Sequence, residues 1–250
     1  GTQNTAVGSR ALEDNVSSNE CTAIGYASLL VNTAGNNTGV GAFTLVNNTS
    51  GSSNTAVGKS ALGANTTGTR NTAVGSVALD AQTTAIDNTA MGYAALSANI
   101  GDKNTCIGSY AGNVGNSVHF NENVAVGYGA LGDVIDSSDN TAVGFEAQIT
   151  DCGSENTAFG FKAARSNHSI RLVALGPFAG QHNNSWPNTF IGYNSGGSSS
   201  DITGGQNTGL GYNTLKVVTT GSNNTAVGNE ALAANTTASN NTAVGHVVLD

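Results

Sequence analysis

The sequence predicts an all-β fold, a parallel β-solenoid or β-roll of about 15 coils with about 17 residues in each. The phrase Asn-Thr-Ala-Val-Gly stands intact six times and returns in drifted form nine more times. Its closing glycines, such as Gly41, Gly58, Gly75 and Gly92, follow one another at a nearly constant short interval along the whole chain. A short period that covers a chain is typical of a solenoid, in which each unit buries its apolar face against its neighbours.

Alternation within the phrase indicates a short strand with two faces, because successive side chains of a strand point in opposite directions. The residue before the glycine is apolar in every copy, and Thr stands two positions earlier in 13 of 15 copies. We therefore expect both columns to point inward, with the apolar column as the core. Its members include Val7, Val57, Val74, Val143, Val227 and Val244.

The opposite face of the strand carries Asn, Ala and Gly. A column of such small residues predicts that another backbone comes close, and a partner subunit is the expected one. Leu in place of Ala73 should then disrupt assembly more than a substitution of the variable Ser76. Amides stacked at successive levels can hydrogen-bond along the stack. The predicted amide ladder includes Asn4, Asn54, Asn71, Asn88, Asn140, Asn224 and Asn241.

The segment after the glycine usually contains a small residue followed by Leu, as in Ala61-Leu62 and Ala78-Leu79. We interpret it as a second short strand with Leu pointing inward. The remainder of each unit is rich in Asn, Thr, Ser and Gly, which favour turns.

The repeat leaves no segment of the chain free, so residues 1–250 are predicted to be one continuous solenoid. Residues 37–80 and 207–250 share 28 of 44 positions when they are aligned without a gap, so that Asn54 corresponds to Asn224. This higher-order repeat indicates duplication of a block of coils, and we expect the chain to be a segment of a longer repeat protein.

Composition excludes several classes of partner. The net charge of −8 argues against nucleic acid, which selects a basic surface, and against an anionic membrane. No apolar run approaches the length of a membrane span. The three cysteines fall in separate coils, and the four histidines are scattered, so no disulfide framework, metal site or cofactor is expected. Nothing resembles a nucleophile–base pair or a phosphate loop, so the chain is not expected to be an enzyme.

The phrase resembles the short Ser-Val-Ala-Ile-Gly repeats of trimeric autotransporter adhesin heads, and the stretch NVAVGYGAL from Asn123 is the most similar. It also resembles the Asn-Thr-Ala-Val-Gly arrays of long surface and phage tail-fibre proteins. The resemblance implies a left-handed parallel β-roll, wound three chains together and used for attachment at a cell surface or on a virion. The period of this chain is longer than in the adhesin heads, and Thr stands where they have Val.

Three functions are open from the sequence. The first is a rigid extracellular fibre or adhesin segment that forms homo-oligomers. Continuation of the solenoid from one copy to the next could extend it into a filament. Such a segment would present a surface to a cell-surface or glycan ligand. The second is an ice-binding solenoid, disfavoured because Thr shares a face with the apolar column and should point inward. The third binds or processes carbohydrate, for which a cluster of acidic residues is expected. Glu146, Asp151 and Glu155 do not form one convincingly.

Ten Asn-x-Ser/Thr sequons are candidate glycosylation sites, provided that the chain enters a eukaryotic secretory pathway. They are Asn15, Asn36, Asn47, Asn48, Asn65, Asn167, Asn183, Asn223, Asn235 and Asn240.

Overall fold

A computed structural model of the chain describes residues 1–98, 101–113, 120–134, 136–150, 153–185, 187–198 and 200–249. These residues form fifteen strands of three residues each and no helix, as expected for an all-β fold. The strands are β1 (Thr5–Val7), β2 (Thr22–Ile24), β3 (Thr38–Val40), β4 (Thr55–Val57), β5 (Thr72–Val74), β6 (Thr89–Met91), β7 (Thr105–Ile107), β8 (Val124–Val126), β9 (Thr141–Val143), β10 (Thr157–Phe159), β11 (Val173–Leu175), β12 (Thr189–Ile191), β13 (Thr208–Leu210), β14 (Thr225–Val227) and β15 (Thr242–Val244).

The chain divides into two compact units, Gly1–Ala125 and Val126–Asp250. In the first unit β1 to β7 are parallel neighbours in chain order, and in the second unit β9 to β15 are arranged in the same way. The register equals one repeat, so that Ala56 pairs with Ala73 and Val57 pairs with Val74. Each strand therefore begins a new coil, which confirms the predicted parallel β-solenoid and its period.

The strand face that points into the coil is the opposite of the one predicted. Ala56 has no exposed surface, whereas Val57 beside it is half-buried. The equivalent side chains of Val7 and Val244 are 57% and 67% exposed. The prediction of an apolar core column was wrong, and its members lie on the outer face of the sheet: Val7, Val57, Val74, Val143, Val227 and Val244.

The width of the coil explains this inversion. Leu62 points inward, as predicted, and has no exposed surface. The same holds at the equivalent positions of other coils: Leu29, Leu45, Leu79, Leu96, Leu131 and Leu215. The Leu position faces the Ala position, because a Cβ placed on Gly112 at the Leu position would lie 2.5 Å from Cys106 Sγ at the Ala position. A coil that receives Leu from the turn has room only for a small side chain from the strand, and the larger Val must point outward.

The segment after the glycine is a tight turn and not the predicted second strand. Ser60 and Leu62 have φ angles of 58° and 51°, and similar values recur at the equivalent positions of other coils. A left-handed backbone costs roughly 1–2 kcal/mol for each such residue. Hydrogen bonds to both neighbouring coils offset this cost. The Leu62 amide donates to the carbonyl of Ala78 at 3.0 Å, and the Ser60 amide donates to that of Ala42 at 2.9 Å.

Gly58 shows why each phrase closes on glycine. Its φ is +123°, and a Cβ at this position would stand 2.6 Å from the carbonyl carbon and oxygen of Gly75 in the next coil. The backbone conformation and the close approach of the next coil therefore both require the absence of a side chain.

Candidate interaction surface

Two rows of side chains run along the outside of the strands, and we call them together the strand face. They are the first and third residues of every strand. In the first unit, the first row is Thr5, Thr22, Thr38, Thr55, Thr72, Thr89 and Thr105, and the second is Val7, Ile24, Val40, Val57, Val74, Met91 and Ile107. Neither row contains a charged residue. The strand face therefore presents hydroxyl and methyl groups in register from coil to coil.

The second unit continues the same pattern with larger apolar side chains. Its second row contains Phe159 and Leu210, which are 58% and 45% exposed. Val173 takes the place of Thr in β11, and this exchange of one branched side chain for another preserves the shape of the row. A contiguous apolar surface of this kind is uncommon on a monomeric soluble protein and indicates a contact site.

Six aromatic rings of the second unit form an unbroken series beside the strand face, and we call it the aromatic ladder. It consists of Tyr128, Phe145, Phe161, Phe178, Tyr193 and Tyr212, with consecutive ring centroids 5.3 to 5.8 Å apart. Phe178 is half-buried, and the other five side chains are 41% to 49% exposed. Ring pairs in the first unit include Tyr26–Phe43 and Tyr93–Tyr110.

The position of each ring after its glycine determines how the rings meet. Tyr193 and Tyr212 both follow their glycine directly, and their planes are 11° from parallel. Phe178 comes one position later, and it meets Phe161 and Tyr193 edge to face at 80° and 81°. Neighbouring rings therefore contact each other along the whole ladder, as stacked or edge-to-face pairs.

A small charged cluster stands on the ladder. Lys162 Nζ lies 5.0 Å from the centroid of the Phe161 ring, within the range of a cation–π contact. Glu146 Oε2 accepts from Arg165 Nε at 2.9 Å and lies 3.8 Å from Lys162 Nζ. Glu155, at a neighbouring coil, pairs with Arg171 at 2.8 Å. These carboxylates are thus engaged with cations, and Asp151 lies outside the described residues.

The amides of the phrase point into the coil, not outward as predicted, and they connect successive coils. Asn54 Oδ1 accepts the backbone amide of Asn71 at 3.0 Å and its Nδ2 at 3.1 Å, while Asn54 Nδ2 donates to the Gly68 carbonyl at 2.8 Å. The same hydrogen bond, from a backbone amide to the Asn Oδ1 of the preceding coil, involves each of the remaining predicted members as donor or acceptor. These are Asn4, Asn88, Asn140, Asn224 and Asn241. Where Leu172 replaces Asn, its backbone amide still donates to Asn156 Oδ1 at 2.8 Å.

A second amide ladder was missed by the sequence analysis. Asn48 Nδ2 donates to Asn32 Oδ1 at 2.6 Å, and Asn65 Nδ2 donates to Asn48 Oδ1 at 2.6 Å. Each of these residues comes seven positions after a phrase glycine, which is the signal that could have revealed the ladder. Gln82 occupies the next position and leaves the buried Asn65 Oδ1 without a hydrogen-bond partner, so the longer amide ends the row.

The predicted sequons fall into three groups by burial. Asn36, Asn47, Asn223 and Asn240 are exposed, and Asn15 and Asn235 are half-buried. Asn48, Asn65, Asn167 and Asn183 have no exposed surface. A glycan on any of these four buried amides would have to pass through the wall of the coil, so the folded structure contradicts their prediction as glycosylation sites.

Charges of alternating sign stand on successive coils of the first unit, directly before the phrase Asn. Arg70 donates to Asp87 through Nε at 2.6 Å and through Nη2 at 2.8 Å, and Lys103 Nζ contacts Glu122 Oε1 at 2.6 Å. The hydrogen bond from Arg70 lowers the pKa of Asp87, and the pKa of Glu155 is lowered in the same way by Arg171 in the second unit. Such exposed pairs add little stability and favour the correct register of the coils.

The described cysteines are structural. Cys21 and Cys106 are both buried free thiols, and burial raises the pKa of Cys106. Cys152 lies outside the described residues. In the described part of the chain, no three His, Cys, Asp or Glu side chains are grouped as a metal site would require. The same residues contain no helix that could cross a bilayer.

No family model matches the chain, and no curated protein matches it either.

Proposed function

We propose that the chain is a non-enzymatic structural segment of an extracellular fibre or adhesin, in which copies associate with one another through the strand face. The observation that carries this proposal is the outward apolar row, in which none of the fifteen side chains is polar. Exposing such a row to water along every coil is unfavourable by about 25 cal/mol per Å². A second copy that covers the row removes this cost, and a homotrimer of the kind seen in the adhesin heads is the assembly we favour.

The charge distribution permits contact between like chains through the strand face. Two copies with a net charge of −8 repel each other at long range. The strand face has no charged residue in the described strands, so its contact does not bring like charges together.

Light scattering on the purified chain tests this proposal. The variant Val57→Asp/Leu210→Asp places one charge on the strand face of each unit and should convert the oligomer into monomers. The matched control Thr67→Asp/Thr220→Asp places the same charges on turn residues elsewhere in the coil and should leave the oligomer intact. A wild-type chain that is monomeric at all concentrations, or an oligomer that both variants preserve, would contradict the proposal. Circular dichroism verifies that both variants are folded.

Ice binding is a second candidate, because one observation now favours it. The Thr row points outward, not inward, so the argument that disfavoured this function no longer holds. In the first unit all seven strands begin with Thr, in register. Side chains of different size in the adjacent row, such as Met91 and Val74, make the surface less regular and place this function second.

Thermal hysteresis of the purified chain separates the two candidates. An ice-binding strand face should produce hysteresis that Thr55→Leu/Thr72→Leu abolishes and Thr67→Leu retains. Absence of hysteresis in the wild type excludes ice binding and leaves the structural proposal untouched.

A further inference from the structure

The aromatic ladder extends the strand face of the second unit on one side. Between Leu210 of the strand face and Tyr212 of the ladder stands only Gly211. The same order recurs at Gly127, Gly144, Gly160 and Gly192, whereas Phe178 is separated from Leu175 by Gly176 and Pro177. The exposed parts of the six rings amount to on the order of 500 Å². A stable interface buries about 800 Å² on each partner, so ladder and strand face together provide an area of the required size.

The spacing of the rings identifies the surface that fits them. Strand face and ladder each present one side chain per coil, and adjacent coils are separated by about 4.8 Å, the distance between neighbouring strands. A second copy of this chain has the same spacing. Its rows therefore interdigitate with these rows at every coil, while a surface with another period would match at one coil and clash at the next.

The charges near the ladder permit this contact. Lys162 and Glu146 are the charged residues among the described side chains that directly follow one of the six rings between Tyr128 and Tyr212, and Glu146 pairs with both Lys162 and Arg165. The carboxylate compensates one of the two cations, so the cluster keeps a single net positive charge on a chain whose net charge is −8.

Sugar chains fit the ladder less well. Sugars pack against the open face of an aromatic ring, whereas three of the five neighbouring pairs of the ladder are stacked, with ring planes within 13° of parallel.

We propose that the aromatic ladder is part of the contact between copies of this chain and holds the copies side by side at the same coil level. This inference rests on the self-association proposed above and adds to it a specific surface and an axial register.

Disulfide trapping between copies tests the register. In a Cys152→Ser background, copies with Val143→Cys are refolded together with copies that carry Phe145→Cys, which belongs to the same coil. A second mixture pairs Val143→Cys with Tyr193→Cys, three coils further along. The same-coil mixture should form the mixed disulfide at least tenfold faster. Equal rates, or no mixed disulfide in a sample that light scattering shows to be oligomeric, would overturn the register while self-association stands.

The contribution of the ladder is measured with Tyr193→Ser/Tyr212→Ser. We expect the dissociation constant of the oligomer to rise at least tenfold, whereas the control Val16→Ser/Val217→Ser, on exposed apolar residues away from the ladder, should change it less than twofold. An unchanged constant in the tyrosine variant would refute the role of the ladder. Retention of the chain on cellulose or chitin particles that is lost in this variant would refute it too, since the rings would then be a sugar site.

Discussion

Asn54 illustrates how a single polar residue stabilises a coil with a small core. Its side chain is fully buried, yet each polar atom has a partner in a neighbouring coil. Buried polar groups that are satisfied in this way add stability, while a group that loses its partner costs about 1–3 kcal/mol. The amide thereby replaces part of the apolar contact that a wider core would provide.

Asn54→Ala should lower the free energy of unfolding by about 1–3 kcal/mol, because it leaves the buried Asn71 backbone amide without its acceptor and removes one of the two side-chain amides that donate to the Gly68 carbonyl. Ser50→Ala, at an exposed position that does not have a left-handed backbone, should change it by less than about 0.5 kcal/mol. Urea unfolding followed by circular dichroism measures both. Equal losses in the two variants would show that the ladder bonds are not what stabilises the coil.

Phe190 is a local exception to the small inward residue. It occupies an Ala position and is fully buried, and the coil accommodates it because Gly180 and Gly196 stand at the Leu positions. A Cβ on Gly196 would lie 2.5 Å from the ring, and one on Gly180 would lie 3.3 Å from it. Here the large side chain comes from the strand and the small residues come from the turns, which reverses the usual arrangement of Ala in the strand and Leu in the turn.

Phe190→Ala should therefore leave a cavity and cost about 3–5 kcal/mol of unfolding free energy. Val16→Ala, at a side chain that is 82% exposed, serves as the control and should cost less than about 0.5 kcal/mol. Similar losses for both, determined from urea unfolding, would mean that Phe190 is not a packing residue.

At the scale of the element, each coil combines one strand with tight turns. Side chains of neighbouring coils match each other in size and charge, and this match favours one order of stacking. Gly39 shows this in the first unit, since a Cβ there would lie 2.5 Å from Ser28 Oγ and 2.7 Å from Thr44 Oγ1. Ser28 and Thr44 replace the usual Ala and hydrogen-bond to each other at 2.8 Å. The alternating charges from Arg70 to Glu122 act in the same sense on the outside. Together these features oppose a slip of one coil along the stack.

Arg70→Ala should raise the pKa of Asp87 towards its ordinary value, because the hydrogen bond from Arg70 is the main cause of its lowering. A lowered carboxyl pKa stabilises the fold above the unfolded pKa, and this contribution is lost as the pH falls through the folded pKa. The variant should accordingly lose less stability on acidification than the wild type. An NMR titration of the Asp87 carboxyl measures the shift, and an unchanged pKa would show that the ion pair is not formed in solution.

At the scale of the whole molecule, inward and outward faces of the strand have separate roles. The inward residues close each coil, whereas the outward rows remain available to a partner. Ala73, expected from the sequence to contact a partner subunit, is buried within its own coil. We therefore correct the expectation from the sequence: a larger residue at this position should disturb the fold of the coil itself and not a contact with a partner subunit.

Ala73→Leu should destabilise the fold by about 1–3 kcal/mol through overpacking. Val74→Asp, one position further along, should leave the unfolding free energy of the monomer nearly unchanged and weaken assembly. Denaturant unfolding and light scattering, applied to both variants, separate the two effects. A stable Ala73→Leu monomer that fails to assemble would restore the original interpretation.

The sequence by itself determined the architecture, since a short, nearly constant period with a repeated Thr-x-Val pattern permits little other than stacked parallel strands. It also identified the Asn column of the phrase, which forms the first amide ladder, and the Leu column of the core. Only the tertiary structure decided which side of the strand is inside. Alternation distinguishes two faces but does not say whether the apolar one meets its own coil or another chain. That choice depends on the width of the coil. Leu62 from the turn occupies the interior, which leaves no room there for Val57 from the strand.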